Sequence, residues 1–242
     1  LMVAPGFLLS ARQLTSFALP TLGTTLGVGG LLIAFAPPGD LVKQLDRRLG
    51  LALALVGLFL GSATVGFLSG LFVPLLVVLA ARAYDDGRAR WLLGVASLAA
   101  IAAFFLATKT KGYSWTLAGN AHWPTHATVW TSQLKQLGFA FFPWVALAPI
   151  ALALLLRQEQ RTYSGLALAA WSILGYGVMT VQISASVEQI APIGAALALA
   201  CGWYLDRALT DNEPLPLDGL LVGLVAIFIG RDYVVAPEEY IG

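Results

Sequence analysis

A long uncharged run in the first third of the chain, residues 49–81, limits what this protein can fold into. As one α-helix rising 1.5 Å per residue, it would extend roughly 50 Å, whereas the hydrocarbon core of a bilayer is about 30 Å thick. The run offers a break, because residues 61–64 read Gly-Ser-Ala-Thr and Gly66 follows them. We therefore predict two short membrane spans here, over residues 49–62 and 66–81.

The composition extends this prediction to the whole chain. Hydrophobic residues make up 58% of the 242 residues and charged residues only 11%, with a mean hydropathy of +0.80. In a soluble domain, about a quarter of all residues are charged, so this chain has too few polar side chains to cover a surface that faces water. We predict an all-α, polytopic integral membrane bundle that forms a single transmembrane domain over residues 1–242. The net charge of +1 gives no field for nucleic acid, and the single cysteine excludes an intramolecular disulfide.

Apolar stretches separated by short polar connections predict about eight to nine spans, including truncated ones. The chain starts in apolar sequence and lacks a charged start followed by a short apolar run, so we expect a fragment of a longer membrane protein. The predicted spans are 1–9, 19–36, 49–62, 66–81, 91–108, 137–156, 165–183, 190–205 and 219–230.

The basic residues are divided unequally between the two sides that these spans define. The positive-inside rule assigns the richer side to the cytoplasm. The long polar connection, residues 109–136, then becomes an outer loop, periplasmic in a bacterial inner membrane. Nine basic residues fall on the first side, namely Lys43, Arg47, Arg48, Arg82, Arg88, Arg90, Arg157, Arg161 and Arg207, and five on the second, namely Arg12, Lys109, Lys111, Lys135 and Arg231.

Both histidines of the chain, His122 and His126, lie in this outer loop. Their spacing of four residues would place them on one face of a helix, where they could seat a metal. Pro124 between them disfavours a helix, and no Cys, Asp or Glu nearby offers a third ligand. Ordinary hydrogen bonding and contact with a substrate or phosphate remain as roles, and we predict no metal site from these residues.

Other polar and aromatic residues on the predicted outer side have two interpretations each. Trp123 and the neighbouring tryptophans are typical of an interfacial aromatic belt, or of a platform for a sugar ring or lipid tail. Arg12, Lys109, Lys111 and Lys135 can pair with a phosphate at headgroup depth, or extend from helix ends to water. Glu188 lies between two predicted spans, where an acid is either functional or part of a solvated link.

Several stretches together resemble the multi-span GT-C glycosyltransferases of family 39, relatives of the protein O-mannosyltransferases and of the aminoarabinose transferase that modifies lipid A. The order and spacing of the stretches carry the resemblance, which covers most of the chain. They are APGFLLSARQLTSFAL at 4–19, the segment at 133–147 that ends FFPWVAL, SASVEQIAPIGAALALACGWYLD at 184–206, and GRDYVVAPEE at 230–239.

The resemblance implies an enzyme that moves a sugar from a polyprenyl-phosphate donor to an acceptor on the outer face of the membrane, with a divalent metal in some members. The central acid of the family lies in a first outer loop upstream of Leu1, so the catalytic residue is unknown. A second family acid falls near Ser16 or Phe17, and neither is acidic. Arg12, in the family's "ARQ", would bind phosphate together with the outer lysines, and the loop with His122 and Trp123 would cover the sugar or the acceptor.

Two alternatives belong to other classes of function. A transporter or flippase of a lipid-linked substrate would carry acids or broken helices at mid-membrane depth. A noncatalytic membrane scaffold is indicated by the missing acid near Ser16. Motifs of soluble enzymes, such as GxGxxG, the P-loop, HExxH and GxSxG, do not occur in the sequence.

Overall fold

The fold was obtained as a computed structural model, and throughout the part of the chain that it describes it is helical, without a β-strand. The prediction of an all-α chain is therefore confirmed for these residues. They are 18–37, 47–109, 134, 137–138, 141, 144–157, 162–181, 191–210, 223, 227 and 230. The main helices are α1 (Ala18–Ala34), α2 (Arg47–Phe67), α3 (Val73–Arg82), α4 (Gly87–Lys109), α5 (Ala148–Leu156), α6 (Tyr163–Val181) and α7 (Ala191–Thr210).

Helices α1 and α2 pack antiparallel, with their backbones in direct contact. A Cβ atom built on Gly23 would lie 2.5 Å from the backbone nitrogen of Gly61, and one on Gly57 would overlap the backbone of Gly27. At the other end of the pair, a Cβ on Gly50 would meet Ile33 at 2.8 Å. In an apolar solvent such as lipid, the hydrophobic effect does not drive helices together. Membrane helices associate instead through van der Waals contacts, and small residues permit the close approach that these contacts need.

The predicted break within residues 49–81 is confirmed, and it lies at Gly66. This buried glycine has φ 81° and ψ 168°, a conformation that side chains with a Cβ atom rarely adopt. Gly70 then packs against the backbone of Gly61. In one continuous helix these residues would be about 13 Å apart, so the chain reverses between them. Residues 61–64, the other candidate for the break, remain helical, and the Thr64 hydroxyl donates to the Leu60 carbonyl at 2.7 Å as it can on a regular helix.

A π-helical segment, Leu68–Phe72, joins the bend at Gly66 to α3. Helix α3 has Pro74 in its first turn, a position where proline is tolerated. A short turn then leads to α4, whose start is capped by Asp86, since its carboxylate accepts the Arg88 backbone N–H at 2.8 Å. The π-helical segment also contacts α1, α2, α4 and α6, so it connects most helices of the bundle near the point where α2 and α3 reverse direction.

Residues 137–156 do not form the single span that the sequence predicts. Trp144–Ala146 is a short 3-10 helix, and α5 begins only at Ala148 with Pro149 in its first turn. The physical reason is that proline is tolerated at a helix start but disrupts a helix interior. Phe141 packs against Gly194 near the start of α7, and Leu155 packs against Gly165 near the start of α6. Phe141 and Leu155 therefore lie near opposite ends of the bundle, although α5 itself covers only the part that ends at Leu156.

The directions of the last two helices follow from their neighbours. Phe72 and Leu76 share a groove with Leu174 and Val178, which puts the second half of α6 beside the start of α3. Helix α6 is thus antiparallel to α3. Ile193 lies beside Gly175, with a Cβ built on Gly175 only 3.2 Å from the Ile193 Cβ. Helix α7 therefore starts where α6 ends and returns antiparallel to it.

One consequence of these directions is that the described arginines gather at one end of the bundle, which we call the arginine end. The Arg82 guanidinium donates to the Phe35 carbonyl at 3.0 Å, which joins the end of α3 to the end of α1. The starts of α2, α4 and α6 and the ends of α5 and α7 lie at this same end. The arginines there are Arg47, Arg48, Arg82, Arg88, Arg90, Arg157 and Arg207.

The bundle exposes carbon rather than polar groups along its sides. Two helical stretches are long and apolar enough to cross a membrane, namely Arg47–Arg82, which bends at Gly66, and Gly87–Leu106. Leu19–Ala34, Trp144–Leu156 and Tyr163–Val178 are shorter apolar helices. In the most apolar window of Gly87–Leu106, only 17% of the residues are buried.

Three buried hydroxyl groups form hydrogen bonds within their own helices. Thr24, Ser172 and Thr180 are buried, and each donates to the carbonyl four residues earlier, at 2.9, 2.9 and 2.8 Å respectively. A hydroxyl that returns its hydrogen bond to its own helix needs no water and no partner helix. The helices can therefore carry these polar residues in an apolar interior at little cost.

Candidate functional site

Most residues that the sequence predicts for a binding site lie outside the described part of the chain. Lys109 is the exception, since its backbone forms the last residue of α4. Helix α4 starts at the arginine end, so Lys109 lies at the opposite end of the bundle. The predicted site residues that fall outside the described ranges are Arg12, Lys111, His122, Trp123, His126, Lys135 and Glu188, and with them Ser16 and Phe17.

The described helix ends that adjoin these residues are all at the end opposite the arginines. Helix α1 starts there at Ala18, six residues after Arg12 in the sequence, and α4 ends there at Lys109. Helix α6 ends there at Val181 and α7 starts there at Ala191, on either side of Glu188 in the sequence. The three segments that the sequence singles out are thus attached to one end of the bundle.

The described helices carry their charges at their ends. Acidic residues at the arginine end are Asp85 and Asp86 in the turn before α4 and Asp206 near the end of α7. Among the described residues, no group of three His, Cys, Asp or Glu could hold a metal ion. The acids that are described lie at the wrong end for a metal beside the predicted outer loop. The described residues therefore do not fit a divalent metal at that site.

A small cavity of about 120 Å³ lies between α7 and the segment that precedes α5. Phe141, Trp144, Leu197, Cys201 and Leu205 line it. The Cys201 thiol is buried and donates to the Trp144 carbonyl at 3.3 Å. The wall of this cavity is mostly apolar, and its thiol is engaged in a hydrogen bond, so the cavity offers no acid, base or cation for chemistry. Its lining residues pack α7 against the segment before α5.

A larger groove of about 260 Å³ runs between α4 and α6 on the side of the bundle. Phe72 and Leu76 form its floor, Ile101 and Phe105 one wall, and Gly177 part of the other. Sequence reasoning missed this groove, because the glycine and phenylalanine positions do not reveal which helices lie next to each other. The groove forms where α3, α4, α6 and the π-helical segment meet, and only the structure shows that these elements are neighbours.

Comparison with known proteins does not identify a relative of this chain. The chain matches no protein-family model, no curated protein and no solved structure.

Proposed function

We propose that this chain is an integral membrane protein whose helices cross the bilayer, and the observation that carries the proposal is the surface of α4. This helix has 23 residues, which extend about 34 Å and match a hydrocarbon core of about 30 Å. Trp91, Leu98 and Leu106 are 70%, 68% and 65% exposed along its length. In water, the exposed face of a helix is polar, and an apolar face of this size is buried by a partner or by lipid.

The arginine end is, in this proposal, the cytoplasmic end. Seven arginines lie in or directly beside the terminal turns of helices there, and a cytoplasmic excess of Lys and Arg sets the orientation of membrane proteins. The opposite end, with Lys109, then faces outward, to the periplasm if the membrane is a bacterial inner membrane. The outer loop predicted over residues 109–136 has its first residue at this outward end.

For the activity, we propose sugar transfer from a polyprenyl-phosphate donor at the outward end, as the resemblance to GT-C enzymes implies. Supporting this, the helix ends that lead to Arg12, to the loop after Lys109 and to Glu188 share that end of the bundle. Arg12 and the outer lysines would bind the donor phosphate through charge-assisted hydrogen bonds. The loop with His122, Trp123 and His126 would cover the sugar or the acceptor.

Sugar transfer can be measured with the full-length protein in membranes and a series of radiolabelled polyprenyl-phosphate sugars. We expect Arg12→Ala to lower transfer about 10- to 100-fold, because a hydrogen bond to a charged group contributes about 1.5–3 kcal/mol. Arg90→Ala, at the arginine end, is the matched control and should leave the rate unchanged. Absence of transfer from every donor by folded protein would contradict the enzymatic proposal.

The same protein preparation distinguishes the two alternative functions, a transporter or flippase and a noncatalytic scaffold. A transporter or flippase would move a fluorescent lipid-linked substrate across proteoliposomes without transferring the sugar. The charged residues that the structure describes lie at helix ends rather than at mid-depth, which does not favour a coupled transporter. A noncatalytic scaffold would show neither activity, and the Arg12→Ala substitution would then change nothing measurable.

A further inference from the structure

The groove between α4 and α6 has the chemistry of a hydrocarbon site. No polar atom is exposed on its wall, and its volume is about 260 Å³. Carbon-lined cavities of about 150 Å³ stay dry and bind a molecule the size of benzene. Water would find no hydrogen-bond partner in this groove, and a sugar or phosphate would lose its hydration without compensation. Only an apolar occupant fits.

The groove exists because two helices that flank it scarcely touch. Helix α4 packs on α3 and on the π-helical segment, whereas α6 packs on α3, α5 and α7. Phe105 and Ile101 on α4 are half exposed, so the groove is open to the side of the bundle. Its mouth is continuous with the exposed apolar face of α4 that carries Leu98 and Leu106. If the groove were empty, the side chains that line it would lose van der Waals contacts on one side, which would lower the stability of the bundle.

We propose that an acyl chain of a membrane phospholipid occupies this groove and completes the packing between α4 and α6. The proposal rests on the membrane location proposed above. The lining residues of α4 lie in its second half, toward Lys109, so the chain comes from the leaflet at the end opposite the arginines. The lipid acts there as a structural ligand, since the groove offers no polar group for catalysis.

Gly177 provides a direct way to fill the groove. It lines the groove, and a Cβ atom built on it meets nothing within 4 Å. A side chain can therefore begin at this position without a clash at Cβ, and a phenylalanine is large enough to occupy part of the groove. Gly94 on α4 offers a matched control, because its Cβ is also unobstructed and it does not line the groove.

The test uses the protein in liposomes of a phospholipid that carries a photoactivatable diazirine in its acyl chain. After irradiation, mass spectrometry compares adducts on Leu76 and Leu174, in the groove, with adducts on Leu98, on the open face of α4. We expect Gly177→Phe to lower the groove adducts at least fivefold and to leave those on Leu98 unchanged. Gly94→Phe should leave the groove adducts unchanged, and Gly177→Leu should lower them by a smaller factor.

Two results would overturn the proposal. One is a set of groove adducts that Gly177→Phe and Gly177→Leu leave unchanged while Leu98 remains labelled. The other is displacement of the groove adducts by added polyprenyl phosphate but not by unlabelled phospholipid, which would assign the groove to a different lipid. A failure of the membrane proposal itself gives a different pattern, since Leu98 would then carry no adducts at all.

Discussion

Replacing Gly30 by leucine should destroy the tight pairing of α1 and α2. A Cβ atom at this position would lie 2.7 Å from the Gly50 carbonyl oxygen and 2.8 Å from the Ala54 Cα. These are backbone atoms, which cannot rotate away, so the two helices must separate along their whole interface. We expect a loss of at least about 3 kcal/mol of stability, near the upper range for overpacking. The melting temperature in mild detergent should fall by about 10 °C.

The adjacent residue supplies the control. Gly29 is on the same helix, and a Cβ built on it meets nothing within 4 Å. Gly29→Leu adds the same side chain one position away and should change the melting temperature little, because leucine is a better helix former than glycine. Equal destabilisation by the two substitutions would show that α1 and α2 do not pair through this face. A small effect of both would lead to the same conclusion.

Replacing Leu98 by lysine should prevent the bundle from assembling in the membrane. Leu98 is at the middle of α4 and is 68% exposed. In lipid, a lysine at the centre of a spanning helix costs about 2.5–3.5 kcal/mol on the insertion scale. We therefore expect the yield of monodisperse protein extracted from membranes to fall severalfold. In a water-soluble bundle, the same substitution would place a charge on the surface and leave the yield unchanged or higher.

Leu98→Met tests whether the effect comes from charge or from shape. Methionine is similar in volume to leucine and stays apolar, so a protein in lipid should tolerate it. We expect a normal yield for the methionine variant and a low yield for the lysine variant. Normal yield for both variants would contradict the membrane location of α4, and low yield for both would indicate that Leu98 packs against protein.

The sequence predicted the reversal within residues 49–81 because of a mismatch of lengths. A helix through this whole run would be far longer than the hydrocarbon core, so a break was required. Gly66 was one of the candidate breaks, and it is the residue with φ 81°. With two spans in this run, the alternation of spans predicts that Arg82, Arg88 and Arg157 lie on one side of the membrane. The directions of the described helices put these three arginines at one end of the bundle.

Other features depend on contacts that no local pattern encodes. Glycines at 23, 27, 50, 57 and 61 indicate close packing, but only the structure shows that α1 and α2 are the partners. The π-helical segment Leu68–Phe72 includes Gly70, which lies against the backbone of Gly61, and a contact between these two glycines cannot be foreseen from the sequence. The shortened α5 reflects Pro149, which is tolerated in the first turn of a helix but disrupts a helix interior. The site residues other than the backbone of Lys109 lie outside the described part of the chain, so their roles remain predictions.

The central claim is that the bundle crosses a membrane with its arginine end in the cytoplasm, and cysteine labelling tests it most directly. In a Cys201→Ser background, which removes the single native thiol, Asp85→Cys puts a thiol in the exposed turn before α4. Gly119→Cys puts one in the predicted outer loop. In spheroplasts, a membrane-impermeant maleimide should label the Gly119 variant and should label the Asp85 variant only after the membrane is broken. Labelling of the Asp85 variant in intact spheroplasts would contradict the account.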